Sequence, residues 1–549
     1  MERKSKKNNY LVQGTILVIA SFIARAIGMI YRIPLTNILG PQGNAYYSTA
    51  NEIYGIILMV SSFSLPLAVS KLVSERIHLG QRKNAYKVFR CGLKFALVSG
   101  GVMSILTLLF AGVITKHALQ YENAVYALRV LAPAIFIFAI VGVFRGFFQG
   151  HDTMVPTASS QVIEQLVNAF ASVLFANMLV SYGTQLGKEN GNDLLGPAIG
   201  AAGGTLGTVI SITVSLVFMI FIYLSYRRRL QRQMARDMTS YRESDKTIYR
   251  LLIATILPVV LSTVVYNIST IIDQGIFNKM LSDQGFTEHQ YGYIWGIFVQ
   301  FRVLMNVPLS IASCLAPSVV PSLTAAMADG NIREAGIKVR TSIRYTMLIT
   351  IPCAVGMAAL AGPIMRLLFP KYGDSALAAG IMQAGALMIV LFAISTLTTG
   401  ILQGLGEFKA PLINAAIALV LHIVVLVIFL KPLNLNIYSV VYANIFFALL
   451  ITLLNAYAIR RKINYRQELK KTFIIPLLAS GAMGLITYGS YRLFALLAGN
   501  AVSTILAILI GVVVYVVFIV KLRGISEQEI YALPKGNAAV MLLRKCRIL

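Results

Sequence analysis

Charge is what this sequence has least of. Aspartate, glutamate, lysine and arginine make up 13% of the chain, and its mean hydropathy is +0.74, whereas about a quarter of a soluble protein's residues are charged. A water-soluble domain of this length is excluded. Cysteine is scarce too: Cys91, Cys314, Cys353 and Cys546 are scattered without paired spacing, which favours buried or incidental thiols over a disulfide or a zinc site. The five histidines, His78, His117, His151, His289 and His422, form no metal motif, so no metal is expected. Only His422 lies within an apolar segment, where a packed, hydrogen-bonded ring is a commoner role than a functional one. Acidic residues number 21 against 48 lysines and arginines, giving a net charge of +27. Nucleic acid is not the implied partner. The positives flank apolar runs, where cationic side chains face anionic lipid headgroups, and no separate basic domain exists. The short connections hold no Ser-His-Asp grouping, paired carboxylates or nucleotide signature, which argues against an enzyme.

What fills the chain instead is apolar sequence, in fourteen long segments. Ala501 to Val520 is twenty residues without a charge, and Phe95 to Thr115 is bracketed by Lys94 and Lys116. About 20 apolar residues cross the ~30 Å hydrocarbon core as a helix. The expected fold is therefore an all-α polytopic membrane protein with 14 transmembrane helices, at 11–37, 46–70, 86–115, 124–148, 157–181, 196–225, 249–278, 291–324, 341–368, 376–404, 411–431, 436–459, 473–497 and 500–522. The basic start Met1-Glu-Arg-Lys-Ser-Lys-Lys resembles a signal peptide, but Arg25 interrupts the small-residue box and the apolar stretch outruns an h-region. It reads as a retained first helix. Lysine and arginine fall in alternate connections: Arg227 to Arg250 and Arg460 to Lys471 are rich in them, while 182–195 has only Lys188 beside Glu189 and Asp193. Both termini are accordingly expected in the cytoplasm. The apolar tail Gly536 to Leu549, with interspersed lysine and arginine, reads either as a segment lying along the membrane surface or as a disordered end.

The halves repeat. Gly146-Phe-Phe-Gln-Gly150 returns as Gly400-Ile-Leu-Gln-Gly404 at an offset of 254; Pro66 to Leu72 returns as Pro317 to Leu323 at 251; Gly80, Lys83, Ala85 and Arg90 return as Gly330, Arg333, Ala335 and Arg340 at 250. Six helices duplicated into twelve give two parallel six-helix lobes, a plan suited to alternating access about a site between them, with two further C-terminal helices. The expected domains are 1–226 (first lobe), 227–248 (basic cytoplasmic linker), 249–460 (second lobe), 461–523 (helices 13 and 14) and 524–549 (cytoplasmic tail).

Ionisable residues inside the membrane cost about 2.5–3.5 kcal/mol each on insertion scales, so those that persist face a cavity or a partner. Arg25 lies well inside the first helix, Arg32 follows seven residues later on nearly the same face, and Arg302 lies in helix 8. Guanidinium groups match phosphate oxygens, so these three are the candidate ligands of an anion such as a diphosphate; snorkelling or structural ion pairing is the alternative for each. Candidate polar or ion-site residues are Asn51 and Glu52 in helix 2, Gln161 and Glu164 in helix 5, and Asp273 in helix 7. Glu164 reads equally as a cation site or as the neutraliser of an arginine, and Asp273 as a solvated helix end. The glycines Gly196, Gly200, Gly203, Gly204 and Gly207 lack the Lys-Ser/Thr of a phosphate loop and read as a close-packing helix face.

At this point the chain resembles the multidrug/oligosaccharidyl-lipid/polysaccharide exporter superfamily, specifically its polysaccharide-biosynthesis branch with the MurJ-type lipid II flippases and the stage V sporulation protein B group. The resemblance rests on Ala24-Arg25-Ala-Ile-Gly28, Tyr31-Arg32-Ile-Pro-Leu35 and Leu39-Gly40-Pro41. It rests most specifically on Arg145-Gly-Phe-Phe-Gln-Gly-His151 with Pro156-Thr157 and Gln161-Val-Ile-Glu164-Gln165. It implies a V-shaped pair of lobes around a cationic cavity, which in the flippases accepts the diphosphate and sugar headgroup of an undecaprenyl-linked precursor. Helices 13 and 14 would form a groove for the lipid tail. It also implies secondary transport without cofactor or ATP hydrolysis, driven by membrane potential or a monovalent-ion gradient, in a bacterial cytoplasmic membrane. The partners it implies are a lipid-linked saccharide, the bilayer, and cell-wall synthesis or division proteins. Departures stand at Ala24, where the flippases usually carry serine, and at Tyr31, where their second arginine falls. The rival readings are a flippase for another lipid-linked polysaccharide unit, a drug or cation antiporter of the same superfamily, and an integral-membrane glycosyltransferase or ligase.

Overall fold

The computed structural model describes residues 19–62, 64–239, 241–371, 376–407 and 409–525, together with 527, 537, 540, 541 and 544. The basic N-terminus with the start of the first expected helix, and most of the tail beyond Gly536, lie outside the described residues. Among the described residues every regular element is helical. The first unit contains α1 (Ile19–Ile30), α2 (Arg32–Ser61), α3 (Leu65–His78), α4 (Arg82–Val113), α5 (Val125–Gly150), α6 (Val155–Asn190), α7 (Leu195–Ala235), α8 (Asp245–Asn267) and α9 (Ser269–Asp283). The chain then continues through α10 (Glu288–Ala328), α11 (Ile332–Ala359), α12 (Ala361–Leu368), α13 (Ala376–Gly404), α14 (Lys409–Leu430), α15 (Ile437–Ile463), α16 (Ile475–Phe494) and α17 (Asn500–Lys521). Two compact units divide the molecule, Met1–Val299 and Gln300–Leu549.

Eleven of the described helical stretches are long and apolar enough to cross a bilayer. Their outward faces carry large apolar side chains, such as Val98, Ile105, Leu109, Leu485 and Val513, each more than half exposed. Water would penalise such a belt and lipid does not. The protein is a polytopic all-α membrane protein.

Several helix limits differ from those read in the sequence. The loop expected at 38–45 is a one-residue corner: Gly40 takes φ 67°, and Pro41 begins the next helical run. A glycine reverses the chain there without a side-chain clash, and a proline gives up no hydrogen bond in a first turn. The expected helix 46–70 is broken between α2 and α3, 249–278 is divided at Ile268, and 341–368 at Leu360. Hydropathy reports affinity for lipid, not continuity of backbone hydrogen bonds, and so passes over these breaks.

The internal repeat is visible in backbone detail. Gly80 closes α3 with φ 76°, its N–H donating to Ile77 O (3.0 Å) and the Gln81 N–H to Arg76 O (2.8 Å). Gly330 closes α10 with φ 68°, the corresponding bonds running to Met327 O (3.1 Å) and, from Asn331, to Ala326 O (2.9 Å). These are paired C-terminal caps of one design. A second matched pair sits at Asp152 (φ 56°) and Gly406 (φ 81°). In the first unit Gly150 lets α5 meet α3, and a Cβ there would lie 2.7 Å from Val73; in the second, Gly404 lets α13 meet α10, with Leu323 and Val320 at 3.1 Å. The glycine face of α7 does what its spacing implies: a Cβ at Gly203 or Gly207 would lie 2.4 or 2.3 Å from α6 backbone.

Between α7 and α8 the chain is clamped onto the α3–α4 corner. Arg76 meets Glu243 through Nε to Oε1 (3.0 Å) and Nη2 to Oε2 (2.8 Å), both residues being buried. The Lys83 N–H and Nζ donate to Asp237 Oδ2 and O, each at 2.7 Å. Asn84 Nδ2 donates to Tyr241 O (3.1 Å) and its Oδ1 accepts from the Glu243 N–H (3.2 Å). Arg227 to Arg232 continue α7 itself.

Candidate functional site

The first unit holds a polar cavity of about 420 Å³ between α1, α5 and α6, within the range of about 300–1,000 Å³ common for ligand sites. Ser21, Ala24, Arg25 and Gly28 line it from α1, Arg145 from α5, and Gln161, Glu164 and Gln165 from α6. Helical periodicity explains the set. Residues 21, 24, 25 and 28 share one face of α1, and 161, 164 and 165 one face of α6. The two faces meet through small or polar groups: Ser21 Oγ donates to Gln161 Oε1 (3.2 Å), and a Cβ on Gly28 would stand 3.3 Å from Gln165 Oε1. Among the described residues no apolar side chain larger than a methyl group lines the cavity.

Arg145, which the sequence offers only as part of a motif and not as an intramembrane charge, is the buried cation of the cavity. Its Nη2 donates to Glu164 Oε2 (2.7 Å) and Ser215 Oγ (3.1 Å), and its Nε to Ser160 Oγ (2.9 Å). Side-chain exposure is 8% for Arg145 and 13% for Glu164. One guanidinium thus ties α5 to α6 and α7. Of the two readings open for Glu164, the geometry displays the arginine pair. The signal was present in the sequence: Arg145 and Arg129 are the only charges in α5, but Arg145 lies near the helix end, where a snorkelling role is the easier reading. Arg25 is exposed and faces the cavity. Among the described residues, two guanidinium groups and one carboxylate give the lining a net charge of about +1.

The polar face of α6 continues one turn further. Asn168 Nδ2 donates to Tyr31 Oη (3.0 Å), and Ser172 and Thr208 donate to Asn168 Oδ1 (2.8 and 3.3 Å). Tyr31 Oη lies 3.5 Å from Tyr47 Oη. Arg32 is not a lining residue of the cavity. It sits two turns beyond Arg25, its Cζ 5.4 Å from the centre of the Tyr47 ring, a cation–π contact. Asn51 Nδ2 donates to Tyr47 O (2.8 Å), and Glu52 Oε1 accepts from Ser48 Oγ (3.4 Å). Asp273 is 2% exposed in α9, which corrects the reading of a solvated helix end. Its neighbour Gln274 donates to Thr49 Oγ1 (2.6 Å), so this stretch of α9 is packed into the first unit. Arg302 lies half-buried on α10 in the second unit. His422 is fully buried, with Nδ1 2.9 Å from Ala443 O and its ring edge-on to Phe447, the packed role expected. Among the described residues no group of histidine, cysteine and carboxylate side chains is placed to hold a metal.

With this geometry in hand, comparison with known proteins gives concordant results. A family model described as polysaccharide biosynthesis protein matches residues 11–327, and one described as MatE matches 258–428. The chain is 25% identical to the lipid II flippase MurJ of Bacillus subtilis (strain 168) over 435 residues, 77% of each chain. It is 24% identical to the stage V sporulation protein B of the same organism over 533 residues, 96% of this chain and 98% of that one. Among solved structures, the lipid II flippase MurJ in an inward closed conformation superposes with a TM-score of 0.63 at 16% identity, covering 92% of this chain and 98% of the other.

Proposed function

This chain belongs to the polysaccharide biosynthesis protein family, and from that premise we propose that it is a flippase. Its cargo is an undecaprenyl-diphosphate-linked saccharide, lipid II in the first instance, moved from the inner to the outer leaflet of the bacterial cytoplasmic membrane. The supporting observation is the cavity that brings Arg25 beside Arg145, Gln161 and Glu164. A diphosphate needs cationic, planar donors, and a saccharide needs amide and hydroxyl partners; this lining offers both. With the termini in the cytoplasm, the α5–α6 turn faces inward and Gln161 lies about 9 Å along α6 from its start, a depth suited to a headgroup drawn in from the inner leaflet. Similarity to a lipid II flippase at 25% identity points the same way. Arg25 is the residue assigned to the diphosphate, with Arg145 fixed by Glu164 as a positioning cation. Arg32 and Arg302 are proposed as further headgroup cations, each tested by its own alanine substitution. Movement is assigned to alternating access driven by membrane potential or a monovalent-ion gradient, without ATP hydrolysis.

A net positive cavity disfavours the cation-antiporter reading, since an organic cation would meet repulsion there. The deciding experiment is reconstitution into liposomes with a fluorescent polyprenyl-diphosphate-linked saccharide, scoring the fraction accessible to an external quencher. The native chain should equilibrate the probe between leaflets, and Arg25→Ala should slow it at least about tenfold, the effect of losing one charge-assisted phosphate contact. Equal rates for both chains would remove Arg25 from the site; no transport by either, with organic-cation uptake present, would replace the reading with the antiporter.

A further inference from the structure

A second cavity of about 250 Å³ opens in the first unit where the start of α4 meets the segment leading into α8. Lys83, Lys87, Arg90 and Lys94 line it from α4 and Arg242 from the connection, with Asp245 as the one carboxylate among the described residues. The spacing from 83 to 94 covers eleven residues in steps of four, three and four, which returns to the same helix face. The lining is five cations to one anion. Lys87 Nζ lies 2.9 Å from Asp245 Oδ1 and Lys94 Nζ 3.9 Å from Oδ2, while Lys83 is turned to Asp237. Arg90 and Arg242 are exposed and have no ion-pair partner among the described residues. The clamp of Arg76 on Glu243 holds Arg242 at this rim.

The place of the cavity matters as much as its charge. One turn beyond Lys94 the exposed apolar belt of α4 begins, with Leu97 47%, Val98 67% and Val102 50% exposed; on α8 the belt begins at Ile253 and Leu257, 48% and 53% exposed. The α4 and α8 helices touch. A basic hollow whose rim is continuous with lipid-facing surface is shaped for a phosphate that arrives attached to acyl chains.

We propose that this hollow binds the phosphodiester headgroup of an anionic membrane lipid, with Arg90, Lys94 and Arg242 as its ligands and the acyl chains lying along Leu97, Val98, Ile253 and Leu257. The site is separate from the Arg25 cavity, and the inference stands whether or not the flippase reading does. Asp245 acts as a resident counter-charge that the lipid phosphate must displace from Lys94. Binding therefore strengthens when that carboxylate is removed.

The test is native mass spectrometry of the full chain released from micelles doped with phosphatidylglycerol or with phosphatidylcholine. The native chain should retain one phosphatidylglycerol preferentially. Arg90→Gln with Lys94→Gln should weaken that retention about ten- to thirty-fold, since each basic residue near the surface contributes about a three- to fivefold step, and Asp245→Asn should tighten it. Both substituted positions are exposed, so an unchanged thermal midpoint accompanies the expected result. Equal retention of the two lipids, or no change in the double variant, would overturn the proposal. A parallel arm adds inorganic phosphate at millimolar concentration. Failure to displace the lipid supports a lipid source, and displacement with a phosphate adduct left in its place would assign the site to a soluble anion instead.

Discussion

At the scale of single residues the cavity depends on one ion pair. Arg145 and Glu164 are nearly out of reach of solvent, and the pair is completed by two serine hydroxyls. Removing one member of such a pair leaves the other charged and unmatched, at a cost of about 3–5 kcal/mol, whereas replacing both by neutral groups of similar shape is far milder. Arg145→Ala should accordingly lower the thermal midpoint of the detergent-solubilised protein sharply, and Arg145→Met combined with Glu164→Gln should restore much of it. A double variant as unstable as the single one would show that the serine contacts, not the charge pair, carry the stability. Legibility at this scale follows the background. Arg25, Gln161 and Glu164 stand out because each interrupts an apolar run, and the structure gathers those three into one hollow. Arg145 was hidden by its place near a helix end, and Asp273 by a position that hydropathy cannot distinguish from a solvated terminus.

Among the elements, close approach of helices is set by glycine. Gly150 and Gly404 occupy matching positions in the two units, each against a helix whose side chains or backbone would meet an added methyl group. Gly150→Ala and Gly404→Ala should each destabilise by about 1–3 kcal/mol, the usual cost of overpacking, read as a lower thermal midpoint. Gly112→Ala serves as the control, because a Cβ there has nothing within 4 Å. The repeat was legible because its turns demand particular residues at fixed spacing. The corner at Gly40 and the breaks near Ser62, Ile268 and Leu360 were not, since they fall inside uninterrupted apolar sequence.

The clamp between α7 and α8 adds a dependence on pH. Partial desolvation of Asp237 works against its ionised form, but hydrogen bonds from Thr239 and Lys83 and the Lys83 charge outweigh it and hold the carboxyl at about 2. An unfolded aspartate titrates near 3.9. Because the folded value is the lower one, this contribution is whole above about pH 4 and is lost as pH falls through about 2. Hydrogen-exchange protection of 236–239 and 241–244, taken relative to intrinsic exchange at each pH, should therefore stay high at pH 4 and fall toward pH 2, with Asp237→Asn low throughout. A segment equally protected at pH 2 would mean that Arg76 and Glu243 hold it unaided.

For the whole molecule, fold class was written in composition and periodicity: scarce charge, long apolar runs and positives in alternate connections already specify a polytopic helical protein. Function was legible only as far as the cations. Two halves built alike are nevertheless charged differently, since the position matching Arg145 in the second unit is Thr399, whose hydroxyl accepts from Asn455 Nδ2 at 3.1 Å. Among the described residues the buried Arg145–Glu164 pair thus has no counterpart at this position in the second unit, a difference no hydropathy profile records.

The most direct measurement places the native chain and Arg25→Ala in a bacterium whose own lipid II flippase can be switched off, and scores outer-leaflet lipid II with a headgroup-cleaving toxin. At equal membrane levels the native chain should restore cleavable lipid II and growth, and Arg25→Ala should restore neither. Full rescue by the variant would contradict the assignment of Arg25 to the diphosphate, and no rescue by a well-expressed native chain would contradict lipid II as the cargo.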